Sequence, residues 1–197
     1  MRRSLVVAKS KQTGAFIVEL ALVLLFFGSI IAMHINYTIA VNKKGQLDRV
    51  VYSIVSVISE RRQLFANELN ICGENGRHCE AQVNNAFYMA KGMLKRTLPD
   101  FDASELGMRI MELSLEEKDT KLVTFTNFKG KTEDCNFPDL KEITVAEAKK
   151  LLPLTTQNRR LPLYHVSLCY KTPFNIIGVM RGEPIKVVTS SYSFARI

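Results

Sequence analysis

The first strong pattern in the chain is a long apolar run near its start. Residues 15–33 are nineteen positions of which only Glu19 carries a charge. In a helix, nineteen residues span about 28 Å, close to the thickness of the hydrocarbon core of a bilayer. The run therefore predicts a membrane-spanning helix, which we place at residues 15–36.

A pattern of helical period follows the polar step at residues 34–38. Apolar residues recur there at spacings of three, four and seven, which is typical of a helix with one buried face. Glycine is a poor helix former, so Gly45 is the expected weak point or break. A second helix is predicted over about residues 80–96 and ends before Pro99, so that residues 37–98 form a helical stalk or hairpin. The apolar positions of the first helix are Leu47, Val50, Val51, Ile54, Val57, Ile58, Leu64, Phe65 and Leu69.

Beyond residue 98 the pattern changes to the alternation that is typical of strands. Four stretches show it, at residues 111–115, 122–128, 164–170 and 185–194. A short helix is predicted to begin at Thr144, where Glu147 completes a capping box, and to end before Pro153. Helices followed by strands indicate an α+β fold, in which a long N-terminal helix leads into a small head domain (residues 99–197) with an antiparallel sheet.

Charge changes this picture through its location. The chain of 197 residues has a formal net charge of +8, and residues 1–14 supply four of those charges without a single acid. A basic segment before an apolar helix stays in the cytoplasm, so the rest of the chain is expected to be exported. The arginine doublets at residues 61–62 and 159–160 lack an aromatic nucleic-acid-binding pattern, so nucleic acid is not an expected partner. The four basic residues of this leader are Arg2, Arg3, Lys9 and Lys11.

Three interpretations compete for the apolar run. A cleaved signal peptide needs small residues just after the run, and the only weak candidate there is the stretch at residues 38–40. An uncleaved single-pass anchor, carrying a periplasmic binding module, explains everything except Glu19. In the third interpretation the chain is cut between Gly14 and Ala15. The new amine on Ala15 could then pair with Glu19 of a neighbouring subunit, which gives the membrane carboxylate the partner it requires.

The residues around this bond resemble a known processing site. The stretch Lys11-Gln12-Thr13-Gly14, followed by Ala15-Phe16-Ile17-Val18-Glu19-Leu20, is similar to the prepilin cleavage site of type IV pilins and pseudopilins. More narrowly, it resembles the TadE/TadF pseudopilins of the tight adherence (Tad) pilus machinery. The chain length and the cysteine-containing domain resemble TadF. The first mature residue would be Ala15 instead of the phenylalanine common in major pilins, which fits the Tad branch.

This resemblance implies a non-enzymatic minor pseudopilin of a type IV pilus that serves adhesion, biofilm formation or secretion. Gly14 and Ala15 would flank the bond cut by a separate prepilin peptidase, and Glu19 would be the determinant of processing and assembly. The resemblance also implies a single pass through the bacterial inner membrane, with a cytoplasmic N-terminus and a periplasmic or extracellular head. Other pilin subunits and the pilus assembly machinery would be its partners.

Four cysteines fit an exported head, because disulfides persist in oxidising compartments. Of the three possible pairings we favour Cys72–Cys79 with Cys135–Cys169, since the first pair closes a short loop between two helices. Zinc bound by His78 and cysteines is the alternative, although the chain has no C-x-x-C pair. No cofactor is expected, and the sequence contains no G-x-S-x-G, H-E-x-x-H or P-loop motif.

One group of residues could suggest a cysteine nucleophile. His165, Ser167 and Cys169 share one face of a predicted strand. Neighbours on one face of a strand lie about 6–7 Å apart, which is too far for a nucleophile–base hydrogen bond. We therefore expect a buried histidine beside a disulfide, and no enzymatic activity.

Overall fold

The computed structural model describes residues 13–60, 69–73, 78–116, 120–133, 135–138, 143–172 and 185–196, and the side chains of all of these except 13–15, 172 and 185. The basic leader up to residue 12 lies outside the described residues. So do Leu64 and Phe65, which were predicted to extend the apolar face of the first helix.

The longest element is helix α1, Thr13–Ser59, with 47 residues and a length of about 70 Å. The break expected at Gly45 does not occur, because α1 is continuous through that position. One glycine costs a helix about 1 kcal/mol. That cost is small beside the burial of the apolar face that begins two residues later, at Leu47.

The remaining elements form one compact unit, which is called the head from here on and which includes the second helix as well as the sheet. They are α2 (Cys79–Thr97), a 3-10 turn (Ala103–Glu105), β1 (Leu106–Glu116), β2 (Lys121–Gly130), α3 (Val145–Leu151), β3 (Leu163–Thr172) and β4 (Ile185–Phe194). The strands form one sheet in the order β2-β1-β3-β4, and every neighbouring pair is antiparallel. The predicted second helix, the four predicted strands and the capping box of Thr144 and Glu147 are confirmed. The fold is α+β, as expected.

One hydrophobic core joins both long helices to one face of the sheet. The outer half of α1, residues 37–59, lies mainly against β4 and β3. Helix α2 contacts α1, β1 and β2. The outer half of α1 is therefore built into the core of the head. The fully buried side chains of this core include Leu47, Val51, Ile54, Val83, Ala90, Leu94, Met108, Tyr164, Val166, Leu168 and Tyr170.

The opposite face of the sheet is covered by α3 and by residues 135–138. Leu152, at the end of α3, packs with Leu113 of β1 and Leu163 of β3 in a second, smaller cluster. The Arg109 guanidinium lies over the Phe137 ring, 5.1 Å from its centre. Both faces of the sheet are thus packed, which gives the head its two-sided α+β architecture.

Candidate functional site

The inner half of α1, residues 13–36, exposes apolar side chains in every direction. Within residues 16–33, each large apolar side chain is between 46 and 72 % exposed, and the most apolar stretch of the helix makes no buried contact with the rest of the chain. Such a continuous apolar surface is typical of a membrane or protein interface. The helix is long and apolar enough to cross a membrane. Tyr37, 68 % exposed, follows the apolar run at a position where tyrosines often lie at a membrane surface.

The candidate processing residues lie at the start of this helix. Gly14 and Ala15 belong to the first turn of α1, and Glu19 follows one turn later with an exposed side chain. Residues four apart lie on the same helix face, so Glu19 is on the face of Ala15. No ion pair joins Glu19 to any residue that the structure describes. The arrangement offers one carboxylate, within an apolar surface, to a partner outside the chain.

Polar contacts at two levels hold the outer half of α1 to β4 and to the residues that follow this strand. The Thr189 hydroxyl donates a hydrogen bond to the Asp48 carboxylate. The Arg196 amide donates to the Ser59 carbonyl at 2.8 Å, and its guanidinium meets Glu60 at 2.8 Å. These levels are about 18 Å apart along the helix, so they resist both sliding and rotation of α1 against the head.

Two disulfides tie the irregular segments of the head to its regular elements. Cys72 pairs with Cys79 at the start of α2, and Cys135 pairs with Cys169 of β3. Since all four cysteines are bonded, none offers a free thiolate for zinc beside His78 or for nucleophilic attack.

His165 lies on β3, two residues from Ser167 and four from Cys169, as expected from the alternation. All three side chains are buried. Burial lowers the pKa of His165 below its usual value of 6.5, and the nearby positive charge of Arg109 lowers that pKa further. The imidazole is therefore neutral at pH 7, and Cys169, four residues further along β3, is bound in a disulfide.

The family model of TadF, tight adherence pilin protein F, matches residues 8–196, which is nearly the whole chain. No curated protein and no solved structure matches the chain.

Proposed function

Because the chain belongs to the TadF family of tight adherence pilin proteins, we propose that it is a non-enzymatic minor pilin that a prepilin peptidase processes between Gly14 and Ala15. The observation that carries this proposal is the inner half of α1, apolar on all sides and with its one carboxylate a single turn from that bond. The head is the exported part, and the helix joins it to a Tad-type pilus.

Cleavage after Gly14 creates a positively charged group that can pair with the Glu19 carboxylate. A carboxylate costs about 2.5–3.5 kcal/mol at the centre of a bilayer, and less near its edge. The cut removes the four basic residues of the leader and leaves a new positive amine on Ala15. That amine adds to the positive end of the helix dipole, so the head of the mature helix attracts a carboxylate.

Assembly then follows from the pairing of charges between subunits. In a bundle of parallel helices, Glu19 of one subunit meets the Ala15 amine of its neighbour. Only the assembled state neutralises both groups, so the lone subunit is penalised and the register between helices is fixed. The contacts of α1 with β4 and the residues after it transmit this register to the head, because Asp48 within the helix and Glu60 just after it are both bonded there.

Substitution of Glu19 tests this function. Glu19→Ala should leave export intact, seen as formation of both head disulfides on a non-reducing gel, but abolish pilus assembly. Leu22→Ala is the matched control, because Leu22 lies on the same helix, is 63 % exposed and carries no charge. Normal pili in the Glu19→Ala strain would remove the assembly role of the carboxylate. Loss of pili in both strains would assign the effect to helix packing instead of charge.

A further inference from the structure

A basic groove lies between the outer half of α1 and α2, apart from the surfaces described so far. Its volume is about 420 Å³. Val50 of α1 is buried and Met93 of α2 is half-buried, so they form an apolar floor. Arg49 and Arg96 are exposed and form the rim, one from each helix. Gln46 also lines the groove.

Neither arginine is neutralised by the part of the chain that the structure describes. Arg96 donates its Nε–H to the Gly92 carbonyl of its own helix at 3.2 Å, which leaves the outer nitrogens of the guanidinium available. Arg49 forms no side-chain hydrogen bond or ion pair with a described residue. Two planar guanidinium groups that face one groove suit carboxylates, which they can bind in a bidentate manner.

A buried acceptor in the groove specifies a second property of its occupant. The Gln46 side-chain oxygen is buried and accepts no hydrogen bond from any residue that the structure describes. A buried acceptor that lacks a donor is unfavourable, so an occupant gains by supplying an N–H or O–H group. Phosphate and sulfate ions supply mainly acceptors, whereas a polypeptide with acidic side chains supplies carboxylates and N–H donors together.

The distance from the membrane argues against lipid as the occupant. Arg49 lies thirteen residues beyond residue 36, the end of the predicted membrane span, on one continuous helix, which is about 20 Å. The headgroup layer extends only about 5–8 Å beyond the hydrocarbon core. The remaining gap exceeds the screening length of about 8 Å at physiological salt, even for a helix tilted by about 20°.

We propose that this groove binds an acidic segment of another subunit of the same assembly, with carboxylates on Arg49 and Arg96 and an N–H donor to Gln46. The identity of the partner as a pilus subunit rests on the proposed function. The ligand chemistry of the groove rests on its own residues, so the two proposals can fail separately.

The test uses the full chain in nanodiscs of zwitterionic lipid and a defined probe. The probe is an amphipathic peptide of about 20 residues, long enough to form a helix, with glutamates along one face. A matched peptide carries glutamines at those positions. Arg49→Glu/Arg96→Glu should weaken binding of the acidic peptide by at least about tenfold. Lys44→Glu/Lys95→Glu, the control, makes the same change of charge at exposed lysines outside the groove and should weaken binding less than about threefold.

Gln46→Leu separates the donor requirement from the charge requirement. It removes the buried acceptor without changing the charge of the groove, and it should weaken binding of the acidic peptide severalfold. A gel shift on reduction verifies that every variant has kept both disulfides. The glutamine peptide should bind none of the proteins measurably.

Three results would overturn the groove proposal. Equal losses in the arginine and lysine variants would reduce it to a general attraction between charges. Unchanged binding in the arginine variant would exclude the groove as the site. Binding to phosphatidylglycerol vesicles that depends on Arg49 and Arg96, without binding of the peptide, would identify a lipid site instead. If the peptide binds as expected while the natural N-terminus is uncleaved, the proposed function fails and the groove stands.

Discussion

Replacing Ile54 by alanine tests whether the outer half of α1 is a structural part of the head. Ile54 is 0 % exposed and lies beside a small apolar cavity of about 30 Å³ that Ile58 and Ile110 also line. The substitution removes three carbon atoms, and at about 0.8 kcal/mol for each buried CH₂ the lost transfer free energy is about 2.4 kcal/mol. If about 40 Å³ of new cavity stays unfilled, it adds about 1 kcal/mol. We therefore expect the free energy of unfolding to fall by about 3–4 kcal/mol.

The assay is urea unfolding of the full chain in mild detergent, followed by near-UV circular dichroism. Tyr164 and Tyr170 are fully buried in the same core, so they report its loss. Val41→Ala is the control, because Val41 lies on the same helix but is 51 % exposed. It should cost less than about 0.5 kcal/mol. Equally small losses for both variants would refute the packing of α1 against the sheet.

Four further predictions concern the stability of the protein. Gly130→Ala should destabilise it by at least about 2 kcal/mol, because Gly130 has φ +76° and its Cβ would overlap a carbonyl and a phenylalanine ring. By contrast, Gly45→Ala, in open space on α1, should raise the melting temperature by stabilising the helix by about 0.5–1 kcal/mol. Replacing both Cys135 and Cys169 by serine should lower the free energy of unfolding by about 3.8 kcal/mol, because the disulfide restricts a loop of the unfolded chain that spans 34 positions. A loss below about 1 kcal/mol would contradict this reasoning. Hydrogen bonds from Thr144 hold the pKa of the Glu147 carboxyl below its usual value of 4.5. Protonation of this carboxyl therefore destabilises the folded state, and the free energy of unfolding of the wild type should fall relative to that of Glu147→Gln below about pH 4.5. Unfolding measured at several pH values between 6 and 3 checks this.

The elements that sequence predicts correctly are those with local signals. The helix over residues 80–96 and the four strands follow from hydrophobic period, and the short helix follows from the capping box of Thr144 and Glu147. Each signal lies within one element, so no knowledge of the tertiary packing is needed. The candidate processing residues Gly14, Ala15 and Glu19 are likewise a local motif. Their role stays a prediction from the sequence and the family.

The features that sequence misses depend on contacts between distant residues. The Asp48–Thr189 hydrogen bond joins positions 141 residues apart, and no local pattern relates them. Glu112 is buried in β1 where alternation favours an apolar residue, because it accepts the Ile71 amide at 2.7 Å. A charged residue is tolerated at a core position because of the partner it binds, and only the fold brings that partner near.

The same limit applies to the groove and to Gly45. Arg49 and Arg96 each look like ordinary solvent-exposed charges on a helix, and only the packing of α1 on α2 brings them to one rim. Helix propensity predicts a break at Gly45. Tertiary packing of the face that begins at Leu47 outweighs that propensity, as it commonly does in a buried helix.

The N-terminus of the mature protein decides whether processing occurs at Gly14. Protein isolated from its native membranes can be sequenced from its first residue, and its intact mass can be measured. If the chain is processed at Gly14, the protein starts at Ala15, with the leader and its four basic residues removed. A chain that starts at Met1, or at any residue from Met33 onwards, would contradict both the processing at Gly14 and the pairing of Glu19 with a new amine.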